Sequence, residues 1–395
     1  MSADEIQGIL QFADVLAHCA WTEHAYGIYR QVAEAGVLVD PEKVRALRDD
    51  VAAGAVDFGG HQPCGVKGDQ VISSLHFTTD LTDHQKRVAF RSGVRSVSIE
   101  TSSQCNRRCT YCSNSTHDRF TNNTFMPWPV FEKVIGELAQ IEYCGSIQFH
   151  GYNEPLMHHE DLLERIRYTR SNLPLASLKI FSNGDYLTRP LLDALIEAGV
   201  TEIELSIHLS RGKAYNDSDM LCRIQAKANE LGLSAALSSF VPGNQIRFHL
   251  GGGGVEIMML QRNYMALGHN RGDILKDVGK KVEGRTDPCI QPLSLFVIVH
   301  TGNVTPCCTL VGDAPEHLPY VAGNVAIQSI FDIYSGETFV QWRRHLMVAG
   351  VKGKPCGTCS ANVGYLGDTG WTAFAGQAIA LADALEAAPL QQAAS

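Results

Sequence analysis

The chain has 395 residues, ordinary apolar content and a formal net charge of −9, which allows one large domain with additions or two to three domains. Lys and Arg form no block beyond short pairs, and no run of about 20 apolar residues occurs, so an electrostatic footprint for nucleic acid and a helical membrane span are both excluded. The opening MSADEIQGIL lacks the basic start of a signal peptide, so the expectation is a cytoplasmic protein with no nucleic-acid or membrane partner. Twelve cysteines are many for a reducing compartment, where clustered cysteines more often bind metal or do chemistry than pair.

In chain order, residues 1–90 read as a helical extension. QGILQFADVLAHCA and TEHAYGIYRQVAEAG carry apolar residues at helical spacing, and DPEKVRALRDDVAAG begins with an Asp–Pro helix start. From 91 to 279 the texture changes to short β-rich runs: VRSVSIETS, GSIQFHGY, SLKIFSNG, EIELSIHLS, LSAALSSFV and GVEIMMLQ. Helical stretches separate the first five, the pattern of parallel βαβ units. Six strands fall short of a closed eight-stranded barrel, so an α/β fold with a partial (β/α)6 barrel is expected. Between the fifth and sixth runs, PGNQIRFHLGGGG is short and glycine-rich, and a full helix is not expected there. Residues 280–365 form a third region. LFVIVHTGNVTPCCTL reads as a hairpin around Thr301, Gly302 and Asn303, SIFDIYSGETFVQWRRHLMVAG as a helix, and KPCGTCS as a C-x2-C knuckle. Residues 366–395 read as an Ala-rich helix and tail.

The cysteines fall into two groups, with Cys19, Cys64, Cys144 and Cys222 scattered singly as small hydrophobes. Cys105, Cys109 and Cys112, in SQCNRRCTYCSNS, have C-x3-C-x2-C spacing directly after the first strand. Ligands of α/β sheets and barrels sit at that end of the strands. A zinc site is the bland alternative, but no fourth Cys or His lies at short range except His117. A cube held by three thiolates leaves one iron open to a small molecule.

This motif in this place resembles the radical S-adenosylmethionine enzymes. The resemblance implies a [4Fe-4S] cluster on Cys105, Cys109 and Cys112, S-adenosylmethionine on the open iron, and a flavodoxin- or ferredoxin-type electron donor. It carries over to further residues in order: Tyr111 near the adenine; Gly151, Asn153 and Glu154 of HGYNEP, where the family has a Gly-Gly-Glu-Pro-like turn for the methionine amine; Ser182 and Asn183 of FSNGD; and Ser206 of ELSIHLS. The Tyr152-Asn153 pair departs from the family turn.

Cys289, Cys307, Cys356 and Cys359, spaced C-x17-C-x48-C-x2-C, would by ligand count alone serve a structural zinc equally well. Their region resembles the twitch form of the SPASM auxiliary domain, which implies one auxiliary [4Fe-4S] cluster with all irons ligated and an electron-transfer role. Cys308 is left over, either packing beneath the hairpin or acting as a hydrogen-atom donor, and either it or Cys307 could be the ligand, with spacing favouring Cys307.

Within the family, residues 95–360 resemble the group of the butirosin 2-deoxy-scyllo-inosamine dehydrogenase, through SQCNR, the FH-YNEP turn, a following NGD-LT and the x17 gap. That implies oxidation of an aminocyclitol or sugar alcohol to a ketone, with the auxiliary cluster accepting one electron. His150, Tyr152, His208, His269 and Arg271 are candidate groups around the substrate, and Arg271 could orient a hydroxyl and stabilise an alkoxide. A radical epimerase using a cysteine hydrogen donor, a diol dehydratase and a peptide maturase are the enzymatic alternatives. A zinc-binding scaffold is the non-enzymatic one.

Overall fold

The computed structural model describes residues 72–361, apart from 122, 210–211, 252–254 and 280, together with the helix Trp371–Ala387. The helical expectation for residues 1–90 lies, as far as residue 71, outside the described residues. Helix α1 (Asp83–Gly93) follows, with Thr82 accepting from the Gln85 N–H at its start.

Four strand–helix repeats come next, as expected: β1 (Ser96–Ile99), α2 (Trp128–Gln140), β2 (Ser146–Phe149), α3 (His159–Asn172), β3 (Ser177–Ser182), α4 (Arg189–Ala198), β4 (Glu202–Leu205) and α5 (Asp217–Leu231). Each helix follows from local chemistry. In α2, Phe131, Val134, Ile135 and Leu138 recur at helical spacing and are buried. Thr188 caps α4 through the Leu191 N–H, and Gly199, at φ +105°, ends it in the left-handed region. Along the strands the side chains alternate. Val97, Ile99, Ile147, Phe149, Leu178, Ile180, Ile203 and Leu205 join the helices in the main core. Gln148, His150, Lys179, Glu202 and Glu204 occupy the other parity and stay half-buried, so the face turned away from the core is polar.

The fifth run departs from expectation. β5 (Ser234–Val241) does not join the parallel set; it folds back through Pro242, Gly243 (φ +70°) and Asn244 onto β6 (Gln245–Gly251), antiparallel. β6 pairs antiparallel with β7 (Glu256–Arg262), and β7 takes the parallel place beside β4. β8 (Leu295–Ile298) and β9 (Asn303–Thr305) form the expected hairpin, with Gly302 at φ +83° in its turn. β8 also pairs in parallel with β1, Ser96 opposite Leu295, so one sheet runs from the barrel strands into the C-terminal region. With β10 (Gly323–Asn324) the order is β10-β9-β8-β1-β2-β3-β4-β7-β6-β5. Six of these strands are parallel neighbours, β8-β1-β2-β3-β4-β7, and the fold is α/β of the expected partial-barrel type.

The single helix expected over 329–350 is two: α6 (Ile330–Tyr334) and α7 (Glu337–Leu346). Gly336 breaks them with an extended backbone (ψ 161°) and caps α7. The C-terminal helix α8 (Trp371–Ala387) is present, and its Ala375, Ala378 and Ala382 pack on Phe77, Ile290, Leu293 and Met347. Among the described residues no helix is long and apolar enough to cross a membrane.

Candidate active site

Cys105, Cys109 and Cys112 lie on the loop that leaves the C-terminal end of β1, with Cys105 buried and the other two half-buried. Burial pushes the Cys105 thiol up to about 12; the Arg107 N–H (3.4 Å from its sulfur) opposes this, while Glu154, Cys112 and Cys109 add to it. Burial raises Cys109 likewise. The loop is pinned to the end of β3. Arg107 makes a bidentate pair with Asp185 (2.6 and 2.7 Å), Asn106 donates to the same carboxylate (2.7 Å), and Asn183 donates to Asn106 (2.8 Å).

Three of the expected cofactor-binding residues converge on one another. Glu154 accepts from the Ser182 hydroxyl (2.7 Å), the Asn183 N–H (2.7 Å) and the Leu156 N–H (3.1 Å). Burial pushes the Glu154 carboxyl up to about 7 although these bonds pull it down. Asn153 accepts from the Gly151 N–H (3.0 Å) and donates to Ser102 (3.3 Å). Gly151 is a glycine for lack of room, since a Cβ there would lie 2.5 Å from Oε1 of Glu100.

Tyr111 and Ser206 come together through a residue the sequence reading missed. The Tyr111 ring stacks on Tyr264 (4.9 Å, 18°), and the Tyr264 hydroxyl donates to Ser206 (3.2 Å). His208 Nδ1 stands 2.9 Å from the Tyr111 hydroxyl, and burial pushes that imidazole down to about 4. An aromatic residue just beyond the end of β7 was the available signal for Tyr264. His150 faces Phe181 instead (4.3 Å between ring centroids).

A buried polar cluster at the end of β1 was also not anticipated. Glu100 accepts from Arg119 (2.6 Å), the Tyr152 N–H (2.7 Å), His300 Nδ1 (2.8 Å) and the His300 N–H (3.3 Å). Burial alone would raise its pKa, but the Arg119 charge and the His300 hydrogen bond outweigh that and hold it at about 2. Arg119 also pairs with Asp313. The cluster therefore ties the first cysteine loop to the β8–β9 region.

Cys289, Cys307, Cys356 and Cys359 line a cavity of about 890 Å³. Each of Cys289, Cys356 and Cys359 is acted on by the charge of Cys307. Burial pushes Cys289 up to about 12. Among the described residues no three His, Cys, Asp or Glu side chains are placed to grip one metal ion. Four thiols spread around a cavity of that size suit a cluster-sized group better than one zinc with Zn–S near 2.3 Å. Cys308 presents its exposed surface to the same cavity. Its hydrogen bond with Cys307 lowers the Cys308 thiol and raises Cys307.

Arg271 lies within electrostatic reach of Cys112 in the first group and of Cys308 beside the second. Burial disfavours its charge, but Tyr152, Cys112 and Cys308 outweigh that and raise its pKa. Its guanidinium lies over the Tyr152 ring (5.6 Å), whose other neighbour is Arg119 (5.6 Å), and the Tyr152 hydroxyl donates to the Cys308 carbonyl (3.0 Å). Arg271 Nε is shut off from solvent with no hydrogen-bond partner among the described residues, as is Nδ1 of His269. Arg271 also holds φ +50°, a conformation that side chains rarely adopt. Among the described residues Arg271 makes no ion pair with Asp273 or Asp277; Asp273 accepts from Asn270 (2.9 Å) and Thr358.

Residues 99–213 match the Radical SAM superfamily, and residues 289–360 match an iron–sulfur cluster-binding (SPASM) domain. The chain is 28% identical over 267 residues to the S-adenosyl-L-methionine-dependent 2-deoxy-scyllo-inosamine dehydrogenase of Niallia circulans, covering 67% of this chain and 92% of that protein. It is 35% identical over 118 residues to the GTP 3′,8-cyclase of Chlorobaculum tepidum, covering 30% of this chain and 34% of that one. The crystal structure of BtrN in complex with AdoMet and 2-DOIA aligns with a TM-score of 0.47 at 24% identity, over 64% of this chain and 87% of that chain.

Proposed function

We propose, from the premise that this chain is a radical SAM enzyme with a SPASM-type auxiliary domain, that it oxidises a secondary alcohol of an aminocyclitol- or sugar-type substrate to a ketone. Its cofactors are S-adenosylmethionine, a [4Fe-4S] cluster and an auxiliary cluster. Cys105, Cys109 and Cys112 would hold the first cluster, and Cys289, Cys307, Cys356 and Cys359 the second. Bound there, the cofactors would supply hydrogen-atom abstraction from carbon and a sink for one electron.

The observation that carries the reading is the place of Arg271. Its Nε is desolvated and unpartnered among the described residues, and its charge interacts with both Cys112 and Cys308, which suits it to hold a substrate hydroxyl near both centres. Because its pKa is raised, Arg271 keeps its proton and acts by donating hydrogen bonds and stabilising negative charge on the substrate oxygen. The carbinol O–H proton must leave as the carbonyl forms. Burial pushes the His269 imidazole down to about 4, which makes it a weak acceptor although its Nδ1 is unpartnered among the described residues, so the proton would pass on to water. Tyr152, held between Arg119 and Arg271, fixes the guanidinium. Tyr111, Tyr264 and Ser206 would form the slot for the nucleoside, and Glu154 would hold the β3 end rigid beneath it.

Cys308 supports a second reading, epimerisation, because its thiol is within electrostatic reach of Arg271 and Tyr152. Anaerobic turnover in deuterated water separates the two. Dehydrogenation gives a product two mass units lighter with no solvent deuterium on carbon. An isomer of unchanged connectivity carrying one solvent deuterium would establish the epimerase instead.

A further inference from the structure

Arg285 and Lys352 lie on the wall of the cavity that the four auxiliary cysteines share, and they are only 8% and 4% exposed. Neither meets a carboxylate at ion-pair distance among the described residues. Arg285 is held by carbonyls instead, those of Ala361 (3.1 Å), Pro288 (3.3 Å) and Cys359 (3.4 Å). Lys352 donates to the carbonyls of His345 (2.8 Å) and Val348. The acids nearest in sequence, Glu283 and Asp287, are exposed. The two cations are also neighbours: the Lys352 N–H donates to the Arg285 carbonyl (2.9 Å), and each charge opposes the other.

Two like charges buried side by side are costly unless an anion answers them. The groups in reach are the cysteines. Lys352 interacts with Cys289 and Cys356, and Arg285 with Cys289, Cys356 and Cys359. Neutral thiols cannot balance the pair. Four thiolates on a cluster can, since that assembly is a net anion and gains a further negative charge when reduced.

We propose that Arg285 and Lys352 are the fixed counter-charges of the auxiliary centre, making it a readier electron acceptor. The proposal rests on the reading of Cys289, Cys307, Cys356 and Cys359 as ligands. Both are positioning residues: they act through the cysteines and touch no substrate. An electron arriving there meets two cations already in place, with no proton to be recruited. Cluster potentials respond to net local charge and to hydrogen bonding of this kind.

The test uses the full-length chain with Cys105, Cys109 and Cys112 changed to Ala, reconstituted anaerobically, so that the signal comes from the auxiliary centre. About four irons per chain in this parent are the condition set by the ligand reading; their absence overturns that reading, separately from the charge proposal. The midpoint potential is then followed by EPR-monitored titration. Lys352→Met is expected to disfavour reduction about tenfold, a drop of about 59 mV for a one-electron couple. Lys352→Arg and Arg285→Lys, which keep the charge, are expected to stay near the parent, as is the exposed control Glu283→Gln. A Lys352→Met protein with full iron and an unchanged midpoint overturns the proposal. Should Lys352→Met lose its iron, retention by Lys352→Arg upholds the charge requirement, and loss from both variants overturns it.

Discussion

Glu100 is the residue whose replacement tests the architecture most sharply. It is fully buried and answers Arg119, His300 and the Tyr152 N–H at once. Its carboxyl is held at about 2 against an ordinary 4.5. At about 1.4 kcal/mol per pH unit that difference is worth roughly 3 kcal/mol of folding stability at pH 7. Breaking a buried ion pair from one side costs about 3–5 kcal/mol by a separate route, and the two figures agree. Glu100→Gln keeps the shape and removes the charge, leaving Arg119 with Asp313 as its remaining acid. Urea unfolding of the full-length protein should therefore show a loss of about 3 kcal/mol at pH 7. Because the folded pKa is depressed, the stabilisation is complete above the unfolded value and fades as the pH falls from about 4.5 to about 2. The gap between parent and variant should narrow over that interval. A variant within about 0.5 kcal/mol of the parent at pH 7, or a gap that does not change with acid, would refute the reasoning.

Other substitutions probe the site itself. Gly151→Ala would drive a Cβ against the locked Glu100 carboxylate, 2.5 Å from Oε1, and should cost about 1–3 kcal/mol in the same unfolding assay. Arg271→Lys keeps a charge but loses the planar fork, so ketone formation should fall by about 10²–10³-fold while cleavage of S-adenosylmethionine persists uncoupled, as chromatography of both products would reveal. Cys307→Ala should lose about four irons per chain and Cys308→Ala none, since Cys307 acts on Cys289, Cys356 and Cys359 whereas Cys308 interacts with Cys289 of those three and otherwise with Arg271 and Tyr152.

Much of the barrel could be read from the sequence because β1 to β4 and their helices obey local rules. Alternation along SLKIFS, the spacing in α2 and the Thr188 and Gly199 caps each act within a few residues. The place of β5 departs from expectation although its strand character is plain: β6, in QIRFHLG, inserts antiparallel between β7 and β5, so β5 keeps the direction of β4 and β7 but lies at the sheet edge. What turns the chain back into β6 is a three-residue turn, Pro242 to Asn244, whose Pro-Gly-Asn composition is itself a turn signal. The pairing of β8 with β1 could not be read, because register between strands some 200 residues apart depends on packing rather than on local preference. The same holds for the site. The seven cysteines stand out by spacing, and the Glu154, Ser182 and Asn183 turn by its order along the chain. Glu100, His300 and Asp313 look like ordinary strand-end residues until the sheet brings them to Arg119. Arg285 and Lys352 look like surface cations until burial is seen.

The central claim is a radical oxidation at a carbinol carbon. Its most direct test is single turnover of the reconstituted enzyme with an aminocyclitol deuterated at each carbinol position in turn. The account predicts deuterium in 5′-deoxyadenosine from one position only, with one ketone formed per 5′-deoxyadenosine. Deuterium transfer without ketone, or 5′-deoxyadenosine free of substrate deuterium at every position, would contradict it.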